Sequence, residues 1–278
     1  MAVFADRPHD YPSDSAFAAS SLSHGALPWD MRLSRVDVLS IDPSRIERAV
    51  EGGISTNRLP VSCKGSRDVL HNLGLACGGV LTNAAALLFA PSEVPLVACR
   101  AYDSAYRSVL RDGCDCYGPF DEAFDRACAF FSRNISFVCG NGCECDDSKM
   151  GILAGIIREV LMNAMQHRDY FRFAPVRLTV WPGCIEVANP GYAPDSACFA
   201  MGEGPYLRDP QEFVERALGS RFGLRNALLA QALYRFGVVD GQGAGIARIA
   251  IACEICDLRA SLTNDEGWAV FRATDSHR

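Results

Sequence analysis

The sequence predicts an α+β protein in which helices cover one face of a β-sheet. Two features of the second half carry this prediction: apolar residues recur at helical spacing from residue 156 onward, and the segments at residues 176–188 and 260–273 have the alternating pattern of β-hairpins. Helices and hairpins in this order are typical of an α+β sandwich. With 278 residues, the chain has room for one large domain or two of ordinary size.

Composition and charge indicate a soluble protein without a dominant nucleic-acid surface. About half of the residues are apolar and 22% are charged, as in globular proteins. The net charge of −6 argues against a broad phosphate-binding surface, although it is compatible with a local basic patch. Residues 1–10 contain no apolar core of a secretory signal, and the longest apolar run, residues 80–90, is too short to span a bilayer. We therefore expect a cytoplasmic protein that does not associate with membranes.

The first half of the chain predicts a tail followed by a smaller α/β region. Residues 1–27 are rich in Ser, Ala, Asp and Pro and are expected to be a disordered tail or linker, and residues 28–145 form the N-terminal α/β region. In that region the pattern predicts strands at residues 36–39 and 96–102, helices at residues 43–50, 68–75 and 119–131, and a buried strand that enters a helix at residues 80–89. Pro43 suits the first position of its helix, and Gly52-Gly53 is expected to end that helix. The polar loop at residues 141–149 is the expected internal boundary.

Residues 146–278 form the second predicted domain. Its predicted elements are the helix after residue 149, the hairpin at residues 176–181 and 184–188, helices at residues 210–218, 225–236 and 246–256, and a final hairpin at residues 260–263 and 268–273. Pro182-Gly183 supplies the reversal of the first hairpin. The Gly- and Pro-rich segment at residues 192–208 predicts a long loop of the kind that is often functional or mobile.

Glu159 and Asn163 are the first candidate site residues. They lie four residues apart on the predicted helix, so both side chains project from one face within an otherwise apolar run. The amide oxygen of Asn suits a hard cation such as Mg²⁺ that also holds substrate phosphates. A Glu one turn away can hold and deprotonate a water molecule. Because this spacing also occurs by chance in many helices, the pair predicts a site only together with other elements.

Two glycine-containing segments complete the candidate site. Asn189-Pro190-Gly191 ends a predicted strand, where the Asn amide can read a base edge; the alternative is a simple turn. Gly241-Gln242-Gly243-Ala244-Gly245 precedes a helix, whose N-terminus can bind anions; the alternative is a flexible loop. No Gly-Lys-Ser/Thr sequence follows, so this segment is not a Walker P-loop.

The order and spacing of these segments resemble a known family. The matching motifs are Arg158-Glu159-x-x-x-Asn163-Ala164-x-x-His167-Arg168-Asp169-Tyr170, Ile185-Glu186-Val187-x-Asn189-Pro190-Gly191, Arg225-Asn226 and Gly243-x-Gly245-Ile246-x-Arg248-Ile249. They look like the RecG-helicase-related C-terminal domain, which belongs to the GHKL ATPase superfamily of gyrase, heat-shock chaperones, histidine kinases and mismatch-repair proteins. The resemblance covers residues 28–275, and its most specific part is the His-Arg-Asp-Tyr stretch that follows the asparagine helix.

The resemblance implies a GHKL (Bergerat)-like α/β sandwich with an ATP pocket, preceded by the smaller α/β region. The residues implied for the pocket are Glu159 as general base, Asn163 as Mg²⁺ ligand and nucleotide contact, His167 as a further nucleotide contact, Asn189 and Gly191 at the adenine end, and Gly243 and Gly245 at the phosphates. Residues 192–240 are implied to be the lid. The superfamily carries Asp where this chain has Asn189, and an uncharged acceptor is expected to bind the adenine amino group less strongly.

The family also implies a biological context. Its members are usually described as transcriptional regulators or helicase-related proteins that carry an N-terminal Schlafen/AlbA-type DNA-binding domain. We therefore expect ATP and Mg²⁺ as cofactors, a homodimer, and DNA binding through domains largely absent from this chain. The sequence contains no helicase motor motifs, so unwinding is not expected, and any ATP hydrolysis is expected to be weak.

Three alternatives follow from the residues themselves. His167, Arg168 and Asp169 can serve only to cap the helix and its exit loop. The domain can be a non-catalytic interaction or dimerisation module that has kept the fold and lost nucleotide binding, with its cavity filled by side chains such as Tyr192. The thirteen cysteines are interpreted as reduced thiols, but the cluster from Cys114 to Cys145 leaves a structural zinc site open.

Overall fold

The computed structural model describes residues 27–65, 68–138, 147–193, 198–200, 225–240 and 245–275. The chain divides into a first unit of Met1–Phe89 and Asn226–Gln242 and a second unit of Ala90–Arg225 and Gly243–Arg278. This division differs from the boundary expected at residues 145–146. Strand pairing explains the difference, because residues 97–101 pair with residues 176–180 in one sheet. The expected tail lies, apart from Leu27, outside the described residues.

Within its described residues, the first unit combines a small sheet with four α-helices. Its elements are β1 (Leu33–Asp37), α1 (Pro43–Ser55), α2 (Asp68–Asn72), β2 (Ala76–Cys77), β3 (Val80–Thr82), α3 (Asn83–Phe89) and α6 (Ala227–Arg235). The strands form an antiparallel sheet in the order β1-β3-β2. Helix α1 begins at Pro43 as predicted, and the Asp42 carboxylate accepts a hydrogen bond from the Ser44 N–H at 3.0 Å.

The prediction that Gly52-Gly53 ends α1 is wrong, because the helix continues to Ser55. A Cβ atom on Gly52 would lie 2.6 Å from the carbonyl oxygen of Phe236, and one on Gly53 would clash with the carbonyl oxygen of Arg235. The two glycines therefore allow the backbone of α1 to approach the end of α6. Packing, rather than chain reversal, accounts for both residues.

The start of α6 is held by a residue far away in the sequence. Asp30 is buried, and its Oδ2 atom accepts hydrogen bonds from the N–H groups of Leu228 at 2.7 Å and Leu229 at 3.2 Å. The carboxylate therefore satisfies free N–H groups in the first turn of the helix. Burial raises the pKa of Asp30, against the lowering effect of these hydrogen bonds.

The second unit is built on a seven-stranded sheet. Its elements are β4 (Val97–Tyr102), β5 (Leu110–Cys116), α4 (Phe120–Val138), α5 (Asp147–His167), β6 (Val176–Trp181), β7 (Cys184–Pro190), β8 (Phe199–Ala200), α7 (Gly245–Ile255), β9 (Leu258–Asp265) and β10 (Trp268–Asp275). The strand order is β5-β4-β6-β7-β10-β9-β8. The pairing of β4 with β6 is parallel, and the other described pairings are antiparallel.

Both predicted hairpins are confirmed. Strands β6 and β7 are joined at Pro182-Gly183, where Gly183 has φ +77°. Strands β9 and β10 are joined at Glu266-Gly267, and both residues have positive φ, at 42° and 88°. Turns with positive φ match the twist of the strands that they connect.

Three helices pack on one face of this sheet, so the predicted α+β architecture is confirmed. Helix α4 packs on β4 and β5, α5 on β7 and α7 on β9, and α5 contacts both other helices. The buried residues of α5 are Leu153, Ile156, Ile157, Val160, Leu161, Ala164 and Met165. Strand register places Val97, Cys99 and Ala101 of β4 on the same face as Val176 and Leu178 of β6, and all are fully buried. We refer to this side as the helix-covered face.

Several elements differ from the prediction. Strand β5 is not predicted, because Leu-Arg-Asp-Gly-Cys-Asp-Cys lacks a clear alternation of apolar and polar residues. Helix α4 continues to Val138, and α5 begins at Asp147, inside the expected boundary loop. Strand β8 lies within the loop predicted at residues 192–208. The helix predicted at residues 210–218 lies outside the described residues.

A buried ion-pair network occupies the opposite face of the sheet. Glu186 on β7 is 8% exposed, and it accepts hydrogen bonds from Arg107 at 2.7 Å and from Arg272 on β10 at 2.6 Å. Burial by itself would raise the pKa of Glu186, but the two guanidinium groups outweigh this effect and lower it. Arg107 also stacks over Trp181, at 4.9 Å from the ring centre.

None of the helices that the structure describes combines the length and the apolar character needed to cross a membrane.

Candidate functional site

Helix α5 positions three of the predicted site residues. Its apolar side is buried, while Glu159, Asn163 and His167 recur every four residues and are half-buried along one flank. This spacing places the three side chains one above another, toward the C-terminal end of the helix.

Asn163 is oriented by a hydrogen bond within its own helix. Its Nδ2 atom donates to the carbonyl oxygen of Glu159 at 2.8 Å. Because the amide nitrogen is directed toward this carbonyl, the Oδ1 atom is directed away from it. The side chain thus presents the oxygen that a hard cation requires.

The first residue of α7 lies directly against this pair. Gly245 is buried, and a Cβ atom there would clash with the Glu159 carboxylate and lie 3.1 Å from the Nδ2 atom of Asn163. An alanine at this position would require the Glu159 carboxylate to move aside. The structure therefore brings Glu159, Asn163 and Gly245 together, as the sequence predicts.

Arg248 is a neighbour of this pair for which sequence reasoning assigned no role. Its Nη2 atom lies 3.4 Å from the Oε1 atom of Glu159. Gly245 and Arg248 are three residues apart at the start of α7 and so lie on the same side of the helix. That spacing is the signal that relates Arg248 to the site.

The end of β7 carries the second part of the candidate site. Asn189 pairs with Ala269 and lies on the helix-covered face with Val187. It is 8% exposed, and within the described part of the chain its Oδ1 atom is buried without a hydrogen-bond partner. A buried acceptor of this kind costs about 1–3 kcal/mol when it is left unsatisfied. Asn189 is therefore the polar group in this unit that most clearly requires a donor.

Gly191 continues this strand end in a conformation that suits glycine. Its φ is +110°, and its N–H donates to the carbonyl oxygen of Gly267 at 2.9 Å. A Cβ atom on Gly191 would clash with the guanidinium of Arg225 and lie 3.1 Å from the Cβ atom of Asp169. The Arg225 guanidinium thus occupies the space beside Gly191, and Arg225 is a second neighbour to which sequence reasoning assigned no role.

The segment after α5 attaches the helix to the end of β7. The N–H of Asp169 donates to the carbonyl oxygen of Pro190 at 2.9 Å, and Arg225 donates to the carbonyl oxygen of His167 at 3.1 Å. Arg168 is 4% exposed and stacks on Tyr170 at 4.8 Å from the ring centre. These contacts support the alternative that this segment has a structural role. Packing around the His167 ring and the nearby charge of Arg225 lower the pKa of His167 to about 4.

The predicted site residues on and after α5 therefore contact other elements at two places along the helix. Glu159 and Asn163 lie against the start of α7, whereas Asp169 is bonded to the end of β7 and His167 to Arg225. Gly243 and most of the predicted lid, residues 194–197 and 201–224, lie outside the described residues. The flank of α5 is thus bordered by a strand end with an unsatisfied acceptor and by a helix start with a glycine.

Comparisons with known proteins support the fold and leave the family open. No family model and no curated protein matches this sequence. Among solved structures, the DIP2311 protein from Corynebacterium diphtheriae is similar, with a TM-score of 0.61 and 17% sequence identity over 94% of this chain. The match spans 42% of that protein, so the chain corresponds to less than half of its length. At this identity the similarity concerns the fold alone.

Proposed function

We propose that the second unit is a divergent GHKL-type ATP-binding domain that serves as a regulatory, ATPase-like part of a DNA-associated transcriptional regulator of the RecG-helicase-related kind. The observation that carries the proposal is the buried, unsatisfied Oδ1 atom of Asn189 at the end of β7, on the face that α5 covers. An acceptor at that place matches the amino group of adenine, which is a hydrogen-bond donor.

The neighbouring groups fit the remainder of MgATP. The amide oxygen of Asn163 suits Mg²⁺, which neutralises phosphate charge when it is bound. Gly245 brings the start of α7 beside Glu159 and Asn163, and the N-terminus of a helix attracts anions such as phosphate. Tyr192 is 59% exposed, which argues against the alternative that its side chain fills the cavity.

Hydrolysis is expected to be slow in this proposal. A general base must be free to accept a proton from water, whereas the Glu159 carboxylate is paired with Arg248 at 3.4 Å. ATP would therefore act mainly by occupying the domain and ordering it. DNA association, in this proposal, belongs to other parts of a longer protein.

Calorimetry with MgATP tests the proposal directly. The wild-type chain should bind MgATP saturably, and Asn163→Ala should weaken binding about tenfold or more by removing the Mg²⁺ ligand. Asn72→Ala is the matched control, because Asn72 is an exposed asparagine in the first unit. Absence of binding at millimolar nucleotide, or equal effects of the two substitutions, would refute the proposal.

The base can be tested separately by comparing ATP with GTP. Guanine presents an acceptor where adenine presents its amino donor, so Asn189 should favour ATP by about tenfold. Asn189→Asp replaces the neutral acceptor by a charged one and should strengthen ATP binding without helping GTP. An equal change for both nucleotides would place the base elsewhere.

The Glu159–Arg248 ion pair also favours the second candidate function, a non-catalytic interaction or dimerisation module that has kept the fold and lost nucleotide binding. Arg248→Ala separates the two, because it releases the Glu159 carboxylate. If the domain binds ATP, this variant should hydrolyse ATP faster than the wild type. If the domain serves only for dimerisation and does not bind nucleotide, sedimentation should show a homodimer whose dissociation constant does not change with MgATP.

A further inference from the structure

Three thiols meet on the helix-covered face, near the β4–β5 edge of the seven-stranded sheet. Cys99 on β4 pairs directly with Cys114 on β5, and Cys116 follows two residues later on the same side of β5. The Sγ atom of Cys116 lies 3.8 Å from that of Cys99 and 3.7 Å from that of Cys114. All three sulfur atoms lie within 4.8 Å of one another.

These separations fit a shared metal ion. In a tetrahedral site with metal–sulfur bonds of about 2.3 Å, neighbouring sulfur atoms are about 3.8 Å apart. A disulfide would require about 2.05 Å. Two of the three sulfur pairs thus already have the spacing of thiolates on one cation, and strand register fixes the side on which all three lie.

The three thiols differ in how readily they ionise. The nearby positive charges of Arg133, on α4, and of Arg126 act to stabilise the thiolate forms of Cys114 and Cys116, respectively. Hydrogen bonding from Cys99 lowers the pKa of Cys116 to about 7, whereas the pKa values of Cys99 and Cys114 are raised. Three thiolates with one divalent cation carry a net charge of −1, which the nearby arginines offset.

The surroundings of the cluster are fixed by α4. Arg133 donates to the Oδ2 atom of Asp112 at 2.7 Å, and Asn134 donates to the same atom at 2.8 Å. Asp112 is on β5, so these bonds hold the helix against the strand that carries two of the thiols. Cys99 and Cys116 are fully buried and Cys114 is half-buried, so solvent reaches the cluster at Cys114.

We propose that Cys99, Cys114 and Cys116 bind a single thiophilic d¹⁰ cation, Zn²⁺ or Cu⁺, through three thiolates. Among the described residues, no fourth Cys, His, Asp or Glu joins the group. Cu⁺ is satisfied by three thiolates, whereas Zn²⁺ would take a fourth ligand from solvent at the Cys114 side. Binding releases the protons that remain on the thiols. The site differs from the zinc cluster considered from the sequence, since Cys99 replaces the cysteines at residues 139–145, which lie outside the described residues.

A Co²⁺ titration of the metal-free, reduced full chain tests the proposal. Co²⁺ bound by thiolates gives sulfur-to-metal charge-transfer bands and visible d–d bands, and one equivalent should saturate them. Zn²⁺ should then displace Co²⁺ and abolish the bands. A parallel anaerobic titration with Cu⁺ against a competing chelator distinguishes the two cations. No thiolate bands and no retained Cu⁺ would overturn the proposal and leave three core thiols in van der Waals contact.

Cysteine-to-serine variants test which thiols bind the metal. Cys114→Ser is the first choice because Cys114 is half-buried and its replacement disturbs the core least; Cys116→Ser is the second. Each should lower the metal affinity about tenfold or more. Cys184→Ser is the matched control, because Cys184 is a buried thiol of β7 outside the cluster. Unchanged affinity in both cluster variants would place the metal on other cysteines and refute the assignment.

Discussion

The candidate nucleotide site and the thiol cluster lie on the same face of one sheet but are built in different ways. Glu159, Asn163 and His167 lie along a single helix, so their spacing of four residues already shows that they share one side. The thiols come from two strands, and only the register of β4 with β5 places Cys99 opposite Cys114. A site on one helix is therefore visible as a spacing in the sequence, whereas a site across strands requires knowledge of the pairing.

Among the substitutions considered, the one at Gly191, at the end of β7, is expected to change stability the most. Gly191→Ala adds a side chain at φ +110° and against Arg225 and Asp169, and should lower the free energy of unfolding by about 3 kcal/mol. Denaturant unfolding followed by the fluorescence of the second unit's tryptophans measures it. Gly118→Ala is the control, because Gly118 has φ +114° but meets mainly the flexible Glu122 side chain; about 1–2 kcal/mol is expected. Equal losses would show that the contacts of Gly191 do not matter.

The pH dependence of stability tests the surroundings of His167. With its pKa lowered from 6.5 to about 4, the folded state binds fewer protons than the unfolded state between these values. Stability should therefore fall as the pH drops from about 6.5 toward 4, by about 2 kcal/mol from this residue. His167→Gln should reduce that fall, and His71→Gln, at an exposed position, should not. Identical pH profiles for both variants would contradict the lowered pKa of His167.

Gly245→Ala should affect ligand binding more than folding. The added Cβ atom meets the mobile end of Glu159, and alanine is a good helix former, so unfolding should change by less than about 1 kcal/mol. The affinity for MgATP should nevertheless fall about tenfold, because the methyl group occupies the space beside Asn163. Calorimetry and denaturant unfolding of the same preparation separate the two effects. Unchanged affinity would remove Gly245 from the nucleotide site.

The smallest expected effect is the influence of a substitution in the candidate nucleotide site on metal binding by the thiol cluster, and the reverse. Strands β4 and β6 separate β5 from β7, which places Cys114 and Cys116 about 14 Å, and Cys99 about 10 Å, from the strand that carries Asn189. Sites this far apart usually behave additively. Cys114→Ser should therefore leave MgATP affinity unchanged, and Asn163→Ala should leave Co²⁺ affinity unchanged, each within about twofold. A larger change in either titration would show that the sites are coupled through the sheet.

Local signals predicted the elements that local residues determine. The hairpin at Pro182-Gly183 follows from its turn residues, and α7 follows from its apolar pattern. Strand β5 could not be predicted, since its residues become a strand through pairing with β4. The Gly52-Gly53 prediction failed because glycine permits both a helix end and a close helix contact, and only the position of the Phe236 carbonyl decides between them.

The residues of the candidate site were likewise predicted only where they are close in the sequence. Spacing related Asn163 to Glu159, and the structure adds Arg248 and Arg225, which come from other elements of the unit. Asn189 was expected at the strand end, but its unsatisfied Oδ1 atom depends on burial against the helices. The sequence by itself determined the α+β class, the hairpins and the polar flank of α5, because these depend on residues within a few positions of one another. The tertiary structure decided the division into units, the ion pair of Glu159 and the meeting of three thiols, because these depend on distant segments that only strand register and helix packing bring together.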